Sequence, residues 1–310
     1  MALLSVILPV YEEEKNIDSA VRRIAAALKD TSAEVELLFV DDGSRDGTWE
    51  QIRAASAADP RVRGIHFSRN FGKEAAMFAG LEAARGDCCA VMDCDGQHPA
   101  EKLPEMLRLW EQGFHVVECV KADRGGESPV RTAAAGLFNR WISRATGRDM
   151  TGASDFRLLD RQVVDALNRL PERNVFFRAL SGWMGFRHTA VPYSVPEREA
   201  GESKWSSRAL FRYALNNLAS FTSAPLHIVT VLGMLMLAVA VIFGVIALAQ
   251  KFAGVALGGF TTVILLLLFI GSILMISLGI IGYYIARIYE EVQGRPRYVI
   301  SEVIDLKKEE

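Results

Sequence analysis

Short apolar runs alternate with helical patterns through the N-terminal part of the chain. The apolar runs predict strands at residues 4–10, 35–40, 62–67 and 88–92. Between them, apolar side chains recur at helical spacing, which predicts helices at residues 17–28, 48–58 and 74–84. Strands that alternate with helices in this way are typical of βαβ units. The pattern therefore predicts an α/β domain with a mostly parallel sheet, which we place at residues 1–200.

Two long segments near the C-terminus contain no charged side chain, from residue 213 to 250 and from residue 252 to 286. A run of about 20 apolar residues is long enough to cross a bilayer. We therefore predict a transmembrane hairpin at 225–287, with helices at about 226–249 and 261–286. The alternative is a buried helical pair inside a soluble protein, which the uncharged lengths disfavour.

The segment that joins these two parts, residues 201–224, mixes apolar and basic residues at helical spacing. Such a pattern predicts a helix in the membrane interface. Ordinary packing beneath the α/β domain would use the same pattern, so this alternative stays open.

Basic residues lie on both sides of the predicted hairpin, whereas its turn has only Lys251. They are Arg198, Lys204, Arg208 and Arg212 before the hairpin, and Arg287, Arg295, Arg297, Lys307 and Lys308 after it. By the positive-inside rule, the α/β domain and both termini are expected in the cytoplasm, with 288–310 as a cytoplasmic tail. The chain is then a multi-pass protein of the inner membrane. A net charge of −2 leaves no basic stripe for nucleic acid, so we expect no such partner.

Polar segments follow each of the four predicted strands, at residues 9–13, 41–46, 68–73 and 93–98. In an open parallel sheet, ligands bind outside the carboxyl ends of the strands. These segments are therefore expected to meet at one edge of the sheet and to form a binding site.

Asp93 and Asp95 flank Cys94 at the end of the fourth predicted strand. On an extended chain, residues i and i+2 face the same side, so both carboxylates can face one site. Two carboxylates repel unless a cation lies between them, and oxygen ligands suit Mg²⁺ or Mn²⁺. Gln97 and His98 add potential ligands. The pattern favours a metal that bridges the phosphates of a nucleotide diphosphate, although a solvated loop remains the alternative.

Two further segments have both a binding and a structural interpretation. Asp42 can accept a hydrogen bond from a nucleobase or a ribose hydroxyl, or serve only in a turn before the next helix. Lys73 and Arg69 lie where a helix begins, which suits an anion, but the segment can also be a solvated basic turn.

Six motifs then stand in the order found in the polyprenyl-phosphate glycosyltransferases. They are ILPVYEEEKNI, VDDGSRDGT, SRNFGKEAA, DCDGQHPAEKLPEM, GASDFRLLDRQVVDAL and EREAGESKWS. The chain resembles, over residues 3–295, the family 2 enzymes of GT-A fold similar to dolichol-phosphate mannose synthase. It is most similar to their bacterial branch, which has two C-terminal membrane helices and loads undecaprenyl phosphate with glucose or a related sugar.

The resemblance implies a role for each matching residue. Positions that hold the nucleotide sugar are matched by Pro9, Tyr11, Glu13, Asp42, Lys73 and Asp93. The metal and diphosphate site is matched by Asp93, Asp95 and Gln97. Basic residues near the transferring group or the acceptor phosphate are matched by Arg124 and Arg131. The segment beneath the acceptor phosphate is matched by Arg198, Ser203 and Lys204.

Asp155 is expected to position a sugar hydroxyl or the acceptor, and its structural alternative is to cap a local turn at 154–157. Glu12 departs from the family, which usually has Asn there, so the contacts of its loop are open. The Gln-x-x-Arg-Trp motif of processive synthases is absent from the sequence, which argues against polysaccharide synthesis.

The implied reaction is inverting transfer of a sugar, from UDP-glucose or a related UDP-sugar, to polyprenyl phosphate. GDP-mannose or an aminosugar nucleotide is an alternative donor that the sequence does not separate. A non-enzymatic nucleotide-sugar-binding membrane protein and a lipid flippase are two other classes that the intact acidic and basic motifs disfavour. Small residues in the spans, such as Ala240 and Gly244, can permit close helix contact. Together with the resemblance to tetrameric bacterial relatives, they lead us to expect a homo-tetramer.

Overall fold

The computed structural model of the chain describes residues 1–121, 152–172, 176–194, 224–254 and 259–305. It contains two compact units, one formed by Met1–Ala214 with Pro296–Glu310 and the other by Leu215–Arg295. The expected interfacial helix at 201–224 lies almost entirely outside the described residues.

The first unit is built around one sheet of eight strands. They are β1 (Leu3–Val10), β2 (Glu34–Asp41), β3 (Val62–Phe67), β4 (Cys88–Val91), β5 (Val116–Lys121), β6 (Ala153–Asp160), β7 (His188–Tyr193) and β8 (Ile300–Ile304). The helices described in this unit are α1 (Ile17–Leu28), α2 (Thr48–Ala58), α3 (Lys73–Ala83), α4 (Leu103–Glu111), α5 (Arg161–Asn168) and α6 (Phe177–Trp183).

The strand order is β7-β5-β6-β4-β1-β2-β3-β8. β1 pairs in parallel with β2 and β4, β2 with β3, and β5 with β7. The antiparallel pairs are β4–β6, β5–β6 and β3–β8. The α/β class and the mostly parallel sheet predicted from the sequence are therefore confirmed.

Close helix–sheet packing explains why β1 is apolar except at Ser5. Residues 4–10 of this central strand are all buried, as expected for a strand covered on both faces. A Cβ atom on Gly80 of α3 would overlap the side chain of Ile7. Glycine at this position lets α3 lie directly on β1, which fixes the beginning of α3 over the carboxyl edge of the sheet.

The chain end contributes β8, which the sequence pattern did not predict within the tail at 288–310. Ser68 donates its backbone N–H to the carbonyl oxygen of Val299 (2.9 Å). Trp49 donates through Nε1 to Glu302 (2.9 Å), and the ring of Tyr298 stacks on Phe67 at 4.9 Å. The tail thus covers the edge of β3, which would otherwise expose unpaired backbone groups.

The second unit contains helices α7 (Ala224–Phe252) and α8 (Phe260–Val292), which contact each other. Their apolar windows, Val229–Ile246 and Phe269–Val292, have mean hydropathies of 2.8 and 2.0, and none of either window is buried. Both helices are long and apolar enough to cross a membrane. They enclose the predicted spans at 226–249 and 261–286.

Candidate active site

The polar segments that follow β1, β2, β3 and β4 lie at the same edge of the sheet because these strands run parallel. Pro9 itself is inside β1, opposite Val40 of β2. It is buried and lies beyond the last pairing of β1 with β4 at Ile7, so its missing N–H interrupts no bond to β4. Tyr11 and Glu13 follow in the loop, and Glu13 donates its backbone N–H to Thr48 Oγ1 (2.8 Å).

Asp42 joins the loop after β2 to the loop after β3. Its two carboxylate oxygens accept the backbone N–H groups of Phe71 (2.6 Å) and Gly72 (2.8 Å). Burial raises the pKa of Asp42, while these two hydrogen bonds oppose that shift. Gly43, at φ 68°, packs so closely on the backbone of Arg69 that a side chain would overlap it. Asp42 therefore has a structural role at this edge, and its contact with a nucleotide stays a prediction.

At the start of α2, the acid that accepts hydrogen bonds is Asp46 and not Asp42. Asp46 Oδ1 accepts from the backbone N–H of Thr48 (3.1 Å) and from its hydroxyl (2.5 Å). Asp41 accepts from the hydroxyl of Ser44 (2.5 Å) and faces His66 Nδ1 at 2.8 Å. The turn and helix-cap roles thus belong to Asp41 and Asp46.

Beyond β4, partly exposed and buried residues alternate. Asp93, Asp95 and Gln97 are partly exposed, whereas Cys94 and His98 are buried. The predicted geometry, with both carboxylates on one face and Cys94 turned inward, is what the structure shows. The backbone N–H of Gln97 donates to Asp95 Oδ1 (3.0 Å).

His98 does not lie on the open face with the two acids. Its ring stacks on Phe156 at 5.2 Å, and its Nδ1 accepts the backbone N–H of Asp93 (2.8 Å). Burial lowers the pKa of His98, so the neutral ring is favoured. Its suggestion as a ligand from sequence proximity does not fit this inward position, and its role here is to fix the backbone of Asp93.

Lys73, the first residue of α3, bridges two carboxylates. Its Nζ lies 2.6 Å from Asp93 Oδ1 and 2.9 Å from Asp155 Oδ2. Burial alone would lower the pKa of Lys73, but the attraction of Asp155 and Asp93 raises it above its ordinary value. The ammonium is therefore charged and offsets the repulsion between the two acids.

Asp155 is the most enclosed acid of this group, with 6% of its side chain exposed. Arg178 of α6 contacts both of its oxygens, from Nε to Oδ1 (2.6 Å) and from Nη2 to Oδ2 (2.9 Å). Burial would raise the pKa of Asp155, but Arg178 and Lys73 hold it well below its usual range. Asp155 belongs to β6, so the alternative that it caps a local turn is wrong.

Sequence reasoning missed several residues that support this site. Arg178 pairs with Asp155, and Arg23 of α1 donates through Nη2 to the carbonyl oxygen of Cys94 (2.7 Å). Neither residue lies in a segment that follows a predicted strand. The rule that ligands bind at the carboxyl ends of parallel strands, which indicated Asp93 and Asp95, therefore could not indicate them. The predicted residues Arg124, Arg131, Arg198, Ser203 and Lys204 lie outside the described residues.

Among residues that the structure describes, no three His, Cys, Asp or Glu side chains form a set suited to a metal ion. The open face nevertheless presents carboxylate oxygens of Asp93 and Asp95 together with the amide of Gln97. Mg²⁺ is commonly bound by one or two protein carboxylates plus phosphate oxygens and water. The donor set at this face therefore fits a hard divalent cation that a diphosphate helps to hold.

Comparison with known proteins agrees with this geometry. Residues 5–167 match the family model "Glycosyl transferase family 2". A putative glycosyltransferase, CsbB, of Bacillus subtilis (strain 168) is 40% identical over 97% of this chain and 92% of its own length. A prophage bactoprenol glucosyl transferase homolog of Escherichia coli (strain K12) is 35% identical over 97% of this chain and 99% of its own.

A solved structure also resembles the chain. Glucosyl-3-phosphoglycerate synthase from Mycobacterium tuberculosis, in complex with Mn²⁺ and UDP-glucose, is 19% identical and has a TM-score of 0.46. The likeness covers 69% of this chain and 76% of that one. The family model matches residues 5–167, and the two relatives match nearly the whole sequence. Together they establish that this chain belongs to glycosyltransferase family 2 and is a glycosyltransferase with a GT-A catalytic domain.

Proposed function

We propose that this chain transfers a sugar from a nucleotide sugar to polyprenyl phosphate with inversion at the anomeric carbon. The observation that carries the proposal is the site at the sheet edge, where Lys73 joins Asp93 to Asp155 beside Asp95. The relatives named bactoprenol glucosyl transferases, which match nearly the full chain, support the lipid acceptor. Their names also support glucose as the sugar, and UDP as the nucleotide of the donor is our proposal.

The proposed sugar transfer needs charged groups that offset the repulsion between anions more than it needs a strong general base. The acceptor phosphate oxygen is already anionic near neutral pH, so it needs no strong base before it attacks the anomeric carbon opposite the departing diphosphate. The protein must then align two anions and offset their repulsion. Lys73 supplies positive charge beside the diphosphate, and Asp155, kept ionised by Arg178, can accept a hydrogen bond from a sugar hydroxyl.

Asp93, Asp95 and Gln97 would hold Mg²⁺ or Mn²⁺ at the open face. When bound, such an ion supplies charge neutralisation for the nucleotide diphosphate. Around it we assign Pro9, Tyr11, Glu13 and Asp42 to the nucleotide side of the site. The basic residues of the remaining segments complete the proposal, with Arg124 and Arg131 near the transferring group and Arg198, Ser203 and Lys204 at the acceptor phosphate.

We further propose that α7 and α8 form the membrane hairpin, with the catalytic unit and both termini in the cytoplasm. The catalytic sheet supports one part of this topology, because β8 follows the hairpin in the chain and pairs with β3, which precedes it. Chain segments before and after the hairpin therefore meet in one sheet and lie on one side of the membrane. The basic flanks support the cytoplasmic side. The homo-tetramer stays a prediction.

The test is transfer of radiolabelled sugar from purified nucleotide sugars to undecaprenyl phosphate, followed by lipid extraction. We expect label in the lipid with a UDP-sugar, and loss of transfer when EDTA removes divalent metal. Asp95→Asn should lower turnover by about a hundredfold or more, the scale seen when one preorganised electrostatic group is removed.

Asp18→Asn is the matched control, because Asp18 is an exposed acid of α1 whose side chain pairs with Arg22, one helical turn away, at 2.5 Å. It should leave turnover unchanged. Normal turnover of Asp95→Asn, or full activity in EDTA, would remove the metal assignment. Absence of labelled lipid with every nucleotide sugar would remove the proposed reaction.

A further inference from the structure

Helix α6 is short, yet it is attached to the active site at several points. It runs from Phe177 to Trp183, and residues 177 and 179–182 are buried. A helix of this length gains little stability from its own hydrogen bonds. Its position must therefore come from tertiary contacts, and these contacts lead to the residues of the site.

The first contact comes from α3, the helix that carries Lys73. Glu74 Oε2 accepts the backbone N–H of Phe177 at 3.0 Å, at the first residue of α6. The first N–H groups of a helix have no partner within it, so a carboxylate there both satisfies a donor and favours the helix dipole. Adjacent residues of α3 thus hold Asp155 and the start of α6.

The second contact comes from Arg157 of β6, which is 0% exposed. Its Nη1 donates to the carbonyl oxygen of Arg178 (2.8 Å) and to Ser181 Oγ (2.5 Å). Its Nη2 lies 2.8 Å from Glu118 Oε2 on β5, so the buried charge is paired. A buried, paired guanidinium therefore fixes the main chain of α6 at the residue that carries the Arg178 side chain.

The third contact is the pair between Arg178 and Asp155. Asp155 and Arg157 are two apart on β6 and face the same side of the sheet. One of them fixes the backbone of Arg178, and the other receives its guanidinium on both carboxylate oxygens. Such a two-point pair sets the orientation of a carboxylate as well as its charge.

We propose that Arg178 is a positioning residue for the transfer reaction, and this inference rests on the proposed function of the same site. Arg178 holds Asp155 in one orientation. Asp155 in turn holds Lys73 against Asp93, so the ammonium stays directed at the place of the diphosphate. Without Arg178, Asp155 has a single cationic neighbour among the contacts described above, and the ammonium can draw it away from its working position.

The kinetic test compares Arg178→Ala and Arg178→Lys in the full-length purified protein. Loss of one charge-assisted, two-point contact is expected to lower kcat about tenfold to a hundredfold in Arg178→Ala. KM for the nucleotide sugar should change less than about threefold, because the Asp42 loop remains intact. Arg178→Lys should recover only part of kcat, since an ammonium lacks the planar fork. Added guanidine, at millimolar concentration, should raise kcat of Arg178→Ala several-fold.

Arg187→Ala is the matched control. Arg187 is exposed and lies over the ring of Phe114 at 4.3 Å, away from the acids of the site. It should have unchanged kcat and no response to guanidine. A wild-type kcat in Arg178→Ala, or a loss of kcat that neither Lys nor guanidine relieves, would overturn the positioning role.

A second measurement does not depend on the reaction. An amine-reactive acylating reagent, read by peptide mass spectrometry, should modify Lys73 several-fold more slowly in Arg178→Ala than in the unaltered protein, because Asp155, released from Arg178, then pairs with the Lys73 ammonium alone. The exposed Lys29 gives the internal reference rate, and Arg187→Ala should leave the modification rate of Lys73 unchanged. Equal modification of Lys73 in all three proteins would overturn the inference. If the unaltered protein transfers no sugar to polyprenyl phosphate, the proposed function fails, and the Lys73 rates still decide the role of Arg178.

Discussion

At the scale of single residues, the site is a set of charged side chains that stabilise one another, and Asp155 is the most buried of them. Asp93 and Asp155 share the ammonium of Lys73, and Asp155 also pairs with Arg178. A buried carboxylate without a cation would bind a proton, because low-dielectric surroundings disfavour the ion. The arrangement keeps Asp155 ionised without solvent, which suits a residue that accepts hydrogen bonds rather than one that transfers a proton.

Glu74 is the acid in this neighbourhood with the opposite behaviour. Burial, and then the negative charge of Asp155, raise the pKa of Glu74 from 4.5 to about 7. Between these values the folded protein binds a proton that the unfolded chain has lost. The free energy of unfolding therefore falls as pH rises from about 4.5 to about 7.

Glu74→Gln tests this dependence, because the amide oxygen can still accept the N–H of Phe177 while the ionisable group is removed. We expect the variant to melt at a higher temperature than the unaltered protein at pH 8, and the difference to shrink at pH 5. Thermal unfolding in detergent at both pH values measures it. Glu50→Gln, at an exposed position of α2, is the control and should show no such difference. A gap of equal size at both pH values would contradict the burial argument.

Glu12 is strained in its backbone. Its φ is 54°, the only positive value among the non-glycine residues described. This left-handed region costs most side chains roughly 1–2 kcal/mol, whereas Asn tolerates it. The family resemblance also has Asn at this position, which agrees with the conformation.

We therefore expect Glu12→Asn to raise the free energy of unfolding by about 0.5–1 kcal/mol, a part of the strain. Chemical denaturation of the purified protein measures the change. Glu50→Asn is a matched control with the opposite sign, since Asn is a weaker helix former than Glu. A Glu12→Asn protein less stable than its parent would show that side-chain contacts of Glu12 outweigh the strain.

At the scale of elements, the sequence predicted the βαβ half well. The helices at 17–28 and 48–58 and the strand at 62–67 have the predicted bounds. Contacts in this half form between neighbouring elements, so local periodicity carries the information. β6 was harder to predict because buried Asp155 and Arg157 interrupt its apolar pattern. Their partners Glu118 and Arg178 are distant in sequence, and no local sequence pattern predicts such ion pairs.

The same distinction explains the site. Asp93, Asp95 and Lys73 follow from the rule that ligands bind at the carboxyl ends of parallel strands. Arg178 and Glu74 act through α6, which comes after β6 and returns to the site only in three dimensions. Their roles depend on tertiary contacts between distant elements, and these contacts cannot be predicted from the local pattern of a single sequence.

β8 leads to a prediction about the tail. Tyr298 stacks on Phe67, which meets the ring of Phe71 edge-on at 5.8 Å, and Tyr298 donates through its hydroxyl to Glu82 (2.5 Å). Tyr298→Phe should lower the free energy of unfolding by about 0.5–1.5 kcal/mol, the net value of a hydrogen bond. Tyr298→Ala should cost a further 0.5–1.5 kcal/mol or so for the aromatic stacking.

Denaturation curves of both variants test this order, with Val303→Ala as the control because Val303 is 51% exposed on β8. The Ala variant should also bind UDP more weakly than the Phe variant, since Phe71 belongs to the loop held by Asp42. Equal UDP affinity and equal stability of the Phe and Ala variants would show that the stacking contributes nothing to the loop.

At the scale of the whole molecule, the chain leaves the catalytic sheet, forms two long apolar helices and returns to the sheet edge as β8. This path places an active site for a phosphate-bearing lipid in a protein that itself has two candidate membrane helices. It also requires that the turn between α7 and α8 lie across the membrane from the catalytic unit, if both helices span the bilayer. That requirement can be tested directly.

Cysteine labelling of intact cells provides the test. Residues Cys88, Cys89, Cys94 and Cys119 are buried, and burial raises the pKa of each thiol, so the native background should be small. An impermeant maleimide added outside the cells should label Ala253→Cys, in the exposed turn after α7, but not Asp30→Cys, at an exposed position after α1. After permeabilisation both variants should be labelled, which controls for their reactivity. Labelling of Asp30→Cys alone in intact cells would place the catalytic unit outside, and labelling of neither before permeabilisation would mean that the hairpin does not cross the membrane.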